Sequence, residues 1–281
     1  MGRYKNILIA IDESDSSHNA VNETLKFVLS DTQTEQIKLT ALTAAPAYDG
    51  EFGVLDLDKV WDAVCLPCKA ALAYAGKTAK DSGLEIATVC LEGDPYQKVV
   101  DYAHDNDCDL IVMGRRGHTR LERALMGSVT SRVIGYSAVD VLAVPREAKV
   151  GFGKILLAVD GSKCSNNATR RAVDVAISYG GTLMILSSVD PSNPRNEQAL
   201  TAAAEGFVNA ARDFAGLAGV AAETFVVKGR AFEVVTNFAR ERGADAIVVG
   251  SHGRTGLMRL IMGSVTEKII GHAQCPVLVT R

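Results

Sequence analysis

Asn6-Ile-Leu-Ile-Ala-Ile-Asp12 and Lys154-Ile-Leu-Leu-Ala-Val-Asp160 are two copies of one short apolar run that ends in an aspartate. They lie 148 residues apart, from 6 to 154. Asp109-Leu-Ile-Val-Met-Gly114 recurs as Asp245-Ala-Ile-Val-Val-Gly250, and Met126-Gly-Ser-Val-Thr130 as Met262-Gly-Ser-Val-Thr266, both at an offset of 136. Self-similarity at domain length means a duplicated unit. The second copy is 12 residues shorter, 148 less 136. The difference is expected between the second strand and the middle helix, around the loop-like stretch Pro46 to Asp58.

Each copy alternates β-branched apolar runs with helical periodicity. In the second copy strands are expected near 154–159, 182–188, 221–227, 245–249 and 276–280. Helices are expected near 165–179, 196–218, 231–242 and 264–271, and the first copy repeats the order from Asn6 to Val144. Strict β-α alternation implies a parallel sheet with right-handed crossovers. Strands apolar throughout fit a sheet covered by helices on both faces. The join between copies, roughly Pro145 to Gly153, is short enough to limit their separation.

Bulk properties agree. A chain of 281 residues is long enough for two domains. Hydrophobic residues at 47% and charged residues at 22% are globular values. A net charge of −3 offers no electrostatic pull toward nucleic acid or anionic lipid, so neither is an expected partner. No apolar run approaches the roughly 18 residues of a membrane span. Met1 to Asn6 leads into the first strand without an export signal, and a cytoplasmic location is the expectation. The six cysteines are then expected as reduced thiols.

The chemistry concentrates in one loop, present twice. Gly114-x2-Gly117 is followed nine residues later by Gly127-Ser128, and Gly250-x2-Gly253 by Gly263-Ser264 with the same gap. Glycines let backbone N–H groups approach an anion, and a helix starting at the second pair offers unpaired N–H groups and partial positive charge. Ser128 and Ser264 can cap that helix or donate to a phosphate. Arg115, Arg116 and Arg120 stand near the first loop, Arg254 and Arg259 near the second. Asp12 and Asp160, at the carboxyl ends of the first strands, are placed to share a crevice with the loops if strands one and four are neighbours. Neither a Walker A loop nor a Gly-x-Gly-x-x-Gly fingerprint is present.

These motifs, with the closing Cys275-Pro-Val-Leu-Val, resemble the universal stress protein family in tandem, and specifically its ATP-binding branch. The resemblance covers both halves. It implies an α/β fold of two tandem doubly wound domains, residues 1–147 and 151–281, each a five-stranded parallel sheet in the order 3-2-1-4-5. It implies that Asp160 faces the adenosine, that Ser188 lies near the base, and that Gly250, Gly253, Gly263, Ser264 and Val265 hold ribose and phosphates. Asp12, Ala44, Gly114, Gly117, Gly127, Ser128 and Val129 take the same places in the first copy. It also implies that Val139–Val144 and Pro276–Thr280 pair within the chain as a pseudo-dimer, beside which a true homodimer could form.

The expected function is binding of ATP, with or without Mg²⁺, in stress response or signalling, through conformation or partner binding. Weak ATP hydrolysis or nucleotidyl or phosphoryl transfer is one alternative, and a nucleotide-free interaction scaffold another. Asp12-Glu13-Ser14 departs from Asp160-Gly161-Ser162, and Arg115-Arg116 from Ser251-His252, so the second site is expected to bind more reliably.

Other residues carry weaker signals. Cys65-x2-Cys68 could meet one metal or form a redox pair, but a four-ligand zinc site lacks its other half, and small core residues are the plainer reading. Pro67 marks the first turn of its helix or a kink. His18 and His104 read as surface histidines, His118 and His252 as loop residues able to orient phosphates. Cys90, Cys108, Cys164 and Cys275 show no metal spacing, and Asp105, Asp107 and Asp109 read as a solvated acidic run.

Overall fold

The computed structural model describes residues 3–31, 37–45, 57–117, 126–190, 197–253 and 262–281, without the side chains of 57–64. The first half runs β1 (Asn6–Ala10), α1 (Asp15–Ser30), β2 (Lys38–Ala45), α2 (Leu57–Asp81), β3 (Ala87–Glu92), α3 (Pro95–Asp105), β4 (Leu110–Gly114), α4 (Ser128–Tyr136) and β5 (Asp140–Val144). The second repeats it as β6 (Lys154–Ala158), α5 (Lys163–Tyr179), β7 (Thr182–Val189), α6 (Glu197–Leu217), β8 (Ala222–Lys228), α7 (Ala231–Arg242), β9 (Ala246–Gly250), α8 (Ser264–His272) and β10 (Val277–Thr280). The alternation read from the periodicity is therefore observed. Pro67 stands inside α2 rather than in its first turn, because the helix starts at Leu57.

All ten strands form one sheet in the order β3-β2-β1-β4-β5-β10-β9-β6-β7-β8. Each half is parallel in the order 3-2-1-4-5. The halves meet at the antiparallel pair β5–β10, where Val277, Leu278 and Val279 face Ala143, Leu142 and Val141. One apolar core packs α1, α2, α5 and α6 on one face of the sheet, with Ala20, Leu25, Ala75, Ala168, Val175 and Ala211 among its members. The other packs α3, α4, α7 and α8 on the opposite face, with Val99, Ile134, Val235 and Ile270. Two covered faces explain why the strands read as continuous apolar runs.

The length difference between the copies is split, which corrects its expected location. Asn6 pairs with Lys38, 32 residues on, whereas Lys154 pairs with Thr182, 28 residues on. Four residues are thus lost before the second strand. Thr40 pairs with Ala87, 47 on, and Met184 with Glu223, 39 on, so eight more are lost after it. Offsets between strand motifs fix only the total, and sheet register is needed to divide it.

Polar groups lock the halves together. Asn19 Nδ2 donates to the carbonyls of Pro145 and Ala148, and Val150 N–H donates to Glu23, so the join is held against α1. Tyr4 Oη donates to Asp140 Oδ2 at 2.9 Å, and Arg171 of the second half forms an ion pair with the same carboxylate. Burial pushes the Asp140 carboxyl up, and the Arg171 guanidinium opposes that shift. Burial also raises the Tyr4 phenol well above its ordinary value, and the Asp140 charge adds to the effect. Both keep the phenol a donor. Removing Arg171 strips the paired cation from a buried carboxylate, so Arg171→Met is expected to destabilise the chain by about 3 kcal/mol. A urea-unfolding midpoint indistinguishable from wild type would contradict this.

Candidate functional site

The winding reverses between β1 and β4 in the first half and between β6 and β9 in the second, and a crevice opens at the carboxyl ends of those strands. In the second half it is a cavity of about 960 Å³. Asp160, Ser188, Gly250, Gly253, Gly263, Ser264 and Val265 all line it. In the first half the cavity is about 260 Å³, lined by Asp12, Ala44, Gly114, Gly117, Gly127, Ser128 and Val129. All fourteen residues named from the sequence therefore gather at two crevices. Small-molecule sites commonly span roughly 300–1,000 Å³, so the larger cavity suits a nucleotide-sized ligand and the smaller falls just short.

Local hydrogen bonds explain the gathering. Ser162 caps α5 by accepting from Ser165 N–H, and Ser165 Oγ accepts from Asp160 N–H. Ser162 N–H donates to Asp160 Oδ1 at 3.0 Å, which leaves Oδ2 turned toward Gly253. Ser14, Ser17, Asp12 and Gly117 repeat the arrangement, with Ser14 also donating through Oγ to Asp12 Oδ1 at 2.5 Å. Gly263 N–H donates to the Ser251 carbonyl and Gly127 N–H to that of Arg115, folding each loop back so that its Gly-x2-Gly and Gly-Ser segments meet. Thr266 Oγ1 donates to the Gly250 carbonyl and Thr130 Oγ1 to that of Gly114, pinning helix to strand. These two threonines were missed in the sequence. Their signal was the threonine closing both Met-Gly-Ser-Val-Thr repeats.

The glycines are there for different reasons. A Cβ on Gly250 would lie 2.7 Å from the Cys164 carbonyl carbon, and one on Gly114 would lie 2.7 Å from Ser16 and Ser17 backbone atoms. These first glycines let a strand end pass a helix. A Cβ on Gly253 would lie 2.8 Å from Asp160 Oδ2, and one on Gly117 2.5 Å from Asp12 Oδ2. The second glycines keep space beside a carboxylate. Gly127 and Gly263 occupy the N-caps of α4 and α8 without a side-chain capping bond. Ser128 and Ser264 are the first helical residues, so of the two roles open to their hydroxyls, capping does not occur. The first N–H groups of each helix have no intrahelical acceptor, and the residues that carry them line the cavities.

Charge around the crevices also differs from expectation. Arg115 turns away from its loop and donates to the Ala273 carbonyl at 2.7 Å and to that of Ile270, at the end of α8 in the other half. Burial lowers its guanidinium, and Arg116 adds to this. The first loop is therefore less basic than its sequence implies. Arg116 does line the smaller cavity, and His252 the larger. His118, Arg120, Arg254 and Arg259 lie outside the described residues. Arg230 and Lys268 border the larger cavity, while at the matching positions of the first half Asp94 and Arg132 form an ion pair at 3.0 Å. Arg132 also stacks on Tyr96, its guanidinium 3.5 Å from the ring centre.

Several weaker signals resolve. His18 stacks on Tyr74 with ring centres 3.9 Å apart, and His104 is exposed in the last turn of α3. Asp109 is not a solvated acid: it accepts from the N–H groups of Lys5 and Asn6, and Asp245 accepts from Lys154 N–H. Each anchors the start of a strand. Cys65 and Cys68 are buried, and burial pushes the Cys275 thiol up to about 12.

Comparison with known proteins places this geometry. The universal stress protein family matches residues 3–145 and again 151–281, so the chain belongs to that family, twice over. It is 33% identical to universal stress protein MJ0531 of Methanocaldococcus jannaschii over 150 residues, covering 52% of this chain and 85% of that one. It is 26% identical to universal stress protein Mb2028c of Mycobacterium bovis over 245 residues, covering 83% and 81%. The crystal structure of a universal stress protein from Archaeoglobus fulgidus superposes with a TM-score of 0.73 at 21% identity, covering 98% of this chain and 96% of that one. Among the described residues no helix is long and apolar enough to cross a membrane.

The two kinds of glycine should respond differently to one methyl group. Gly250→Ala drives Cβ into helix backbone and is expected to cost about 1–3 kcal/mol of stability. Among the described residues Gly253→Ala meets only a carboxylate tip, and it should cost distinctly less. Equal losses in chemical denaturation would refute the distinction.

Proposed function

We propose that the larger cavity binds ATP or a related adenine nucleotide, with or without Mg²⁺, and that binding alters conformation or partner contacts in a stress-response role. The observation that carries this reading is the convergence of an aspartate, three glycines and a helix start on one cavity of about 960 Å³. The donor set fits the ligand. The first N–H groups of α8 favour phosphate oxygens. Asp160 Oδ2 is an acceptor for a ribose hydroxyl, and Gly253 keeps the adjoining space clear. Arg230 and Lys268 add positive charge at the rim. Resemblance to the ATP-binding branch supports a base near Ser188.

The first site is the weaker one. Its cavity is smaller, and Arg132, which stands at the position of Lys268, is paired with Asp94. Calorimetric titration with ATP tests the order. Gly263→Val should abolish the tighter binding, while Gly127→Val should leave it intact. Loss with Gly127→Val alone would reverse the assignment. Asp160→Asn should weaken ATP roughly tenfold, as expected for one hydrogen bond to a charged group. Unchanged affinity in a folded variant would remove Asp160 from the site.

A further inference from the structure

The first half carries three thiols where the second carries none. At the 136-residue offset Cys65, Cys68 and Cys90 correspond to Thr201, Ala204 and Val226. The same helix-on-sheet layer is built there without sulfur, so packing does not require the cysteines. Cys65 and Cys68 share a face of α2 and are buried together against Ala45 at the end of β2. Leu39 and Ala41 point to that same side of the sheet, and alternation puts Thr43 there too. Cys90 pairs with Thr43 and Glu92 with Ala45 in the β2–β3 ladder. Cys90 is therefore on the α2 side, diagonal to the alanine that touches the other two thiols. The sequence separates it from Cys68 by 22 residues, which hid the cluster.

Access is graded. Cys90 is exposed on the edge strand β3, and Cys65 and Cys68 are buried behind it. Among the described residues no three thiol, imidazole or carboxylate groups are arranged to hold a metal ion. Two neighbouring thiols, one open and one shielded, instead match an attacking and a resolving cysteine.

We propose that Cys68 and Cys90 form a reversible disulfide when Cys90 meets hydrogen peroxide. The Cys90 thiolate attacks one peroxide oxygen and the O–O bond breaks. Cys90 becomes a sulfenic acid, and the other oxygen leaves as water after taking up the thiol proton. The Cys68 sulfur then attacks the sulfenic sulfur. An S–S bond forms, the S–O bond breaks, and a second water leaves. Two thiols have lost two electrons and two protons, and one peroxide has become two waters. A low-molecular-weight thiol restores both cysteines by exchange and is itself oxidised. The bond fastens α2 to the sheet beside Ala44, a wall residue of the smaller cavity. Partial burial, then the Cys68 and Cys65 thiols nearby, push the Cys90 thiol up. The resting form is therefore protonated, and oxidation quickens as pH rises toward that thiol's range.

Peroxide treatment of the reduced full chain, alkylation of remaining thiols and non-reducing peptide mass spectrometry form the test. The expected product is a Cys68–Cys90 linked peptide that dithiothreitol abolishes and Cys65→Ser retains. In Cys68→Ser, Cys90 should instead be trapped as a sulfenic-acid adduct by dimedone. Two outcomes overturn the proposal. One is complete alkylation of Cys68 and Cys90 at a peroxide dose that yields the dimedone adduct in Cys68→Ser. The other is a Cys65–Cys68 link in its place.

Discussion

The antiparallel contact between β5 and β10 is the constraint on which the rest of the molecule depends. Each half alone would end its sheet at an open apolar edge, Val141–Val144 or Val277–Val279, and such edges invite pairing with other chains. Joining them inside one chain removes both edges and makes two sheets into one. The short join makes that pairing intramolecular and fixes which edges meet. It also sets the two crevices apart, each between its own first and fourth strands.

The symmetry across this contact is maintained by residues that are not themselves symmetric. Arg115 reaches across to the end of α8, and Arg281 reaches back to the Ile134 and Gly135 carbonyls at the end of α4. The helix ends are equivalent, since Ile134 and Ile270 are 136 apart, but the arginines come from a loop and from the chain's last residue. A cation at a helix C-terminus satisfies open carbonyls and opposes the helix dipole, wherever the side chain originates. Tyr4, Asp140 and Arg171 break the symmetry outright. Their counterparts are Phe152, Pro276 and Glu23, which cannot form the same buried network.

Repetition made most of the architecture legible. A motif read once is weak, but Asp12 with Gly114 and Asp160 with Gly250 supplied the same strand, loop and helix start twice over. Apolar continuity and alternation then gave the strand and helix order. Three things stayed hidden, each for a physical reason. Side-chain direction was one: nothing in Arg115-Arg116-Gly117 shows that the first arginine crosses to the other half. Register was another, since it alone divides the twelve missing residues between two loops. Contacts across strands were the third, and they govern both Asp109, which serves β1, and Cys90, which stands by α2.

The two turns after the aspartates show how duplicates diverge by coupled changes. Gly161 adopts φ +76°, in the left-handed region, and a Cβ there would collide with the Phe207 ring. Phe207 borders the larger cavity, so this glycine lets an aromatic wall close on the turn. The first half has Glu13 and Ala71 at the corresponding positions. With the ring gone, the turn no longer needs a glycine. Glu13 is exposed and, among the described residues, is not one of those with positive φ. Glycine and phenylalanine are thus one unit, replaced together, and with it goes an apolar wall suited to a flat ring. The aspartate, the second glycine and the helix start survive in both halves because they depend on one another. The wall depends only on its own partner, and that is where the two cavities part.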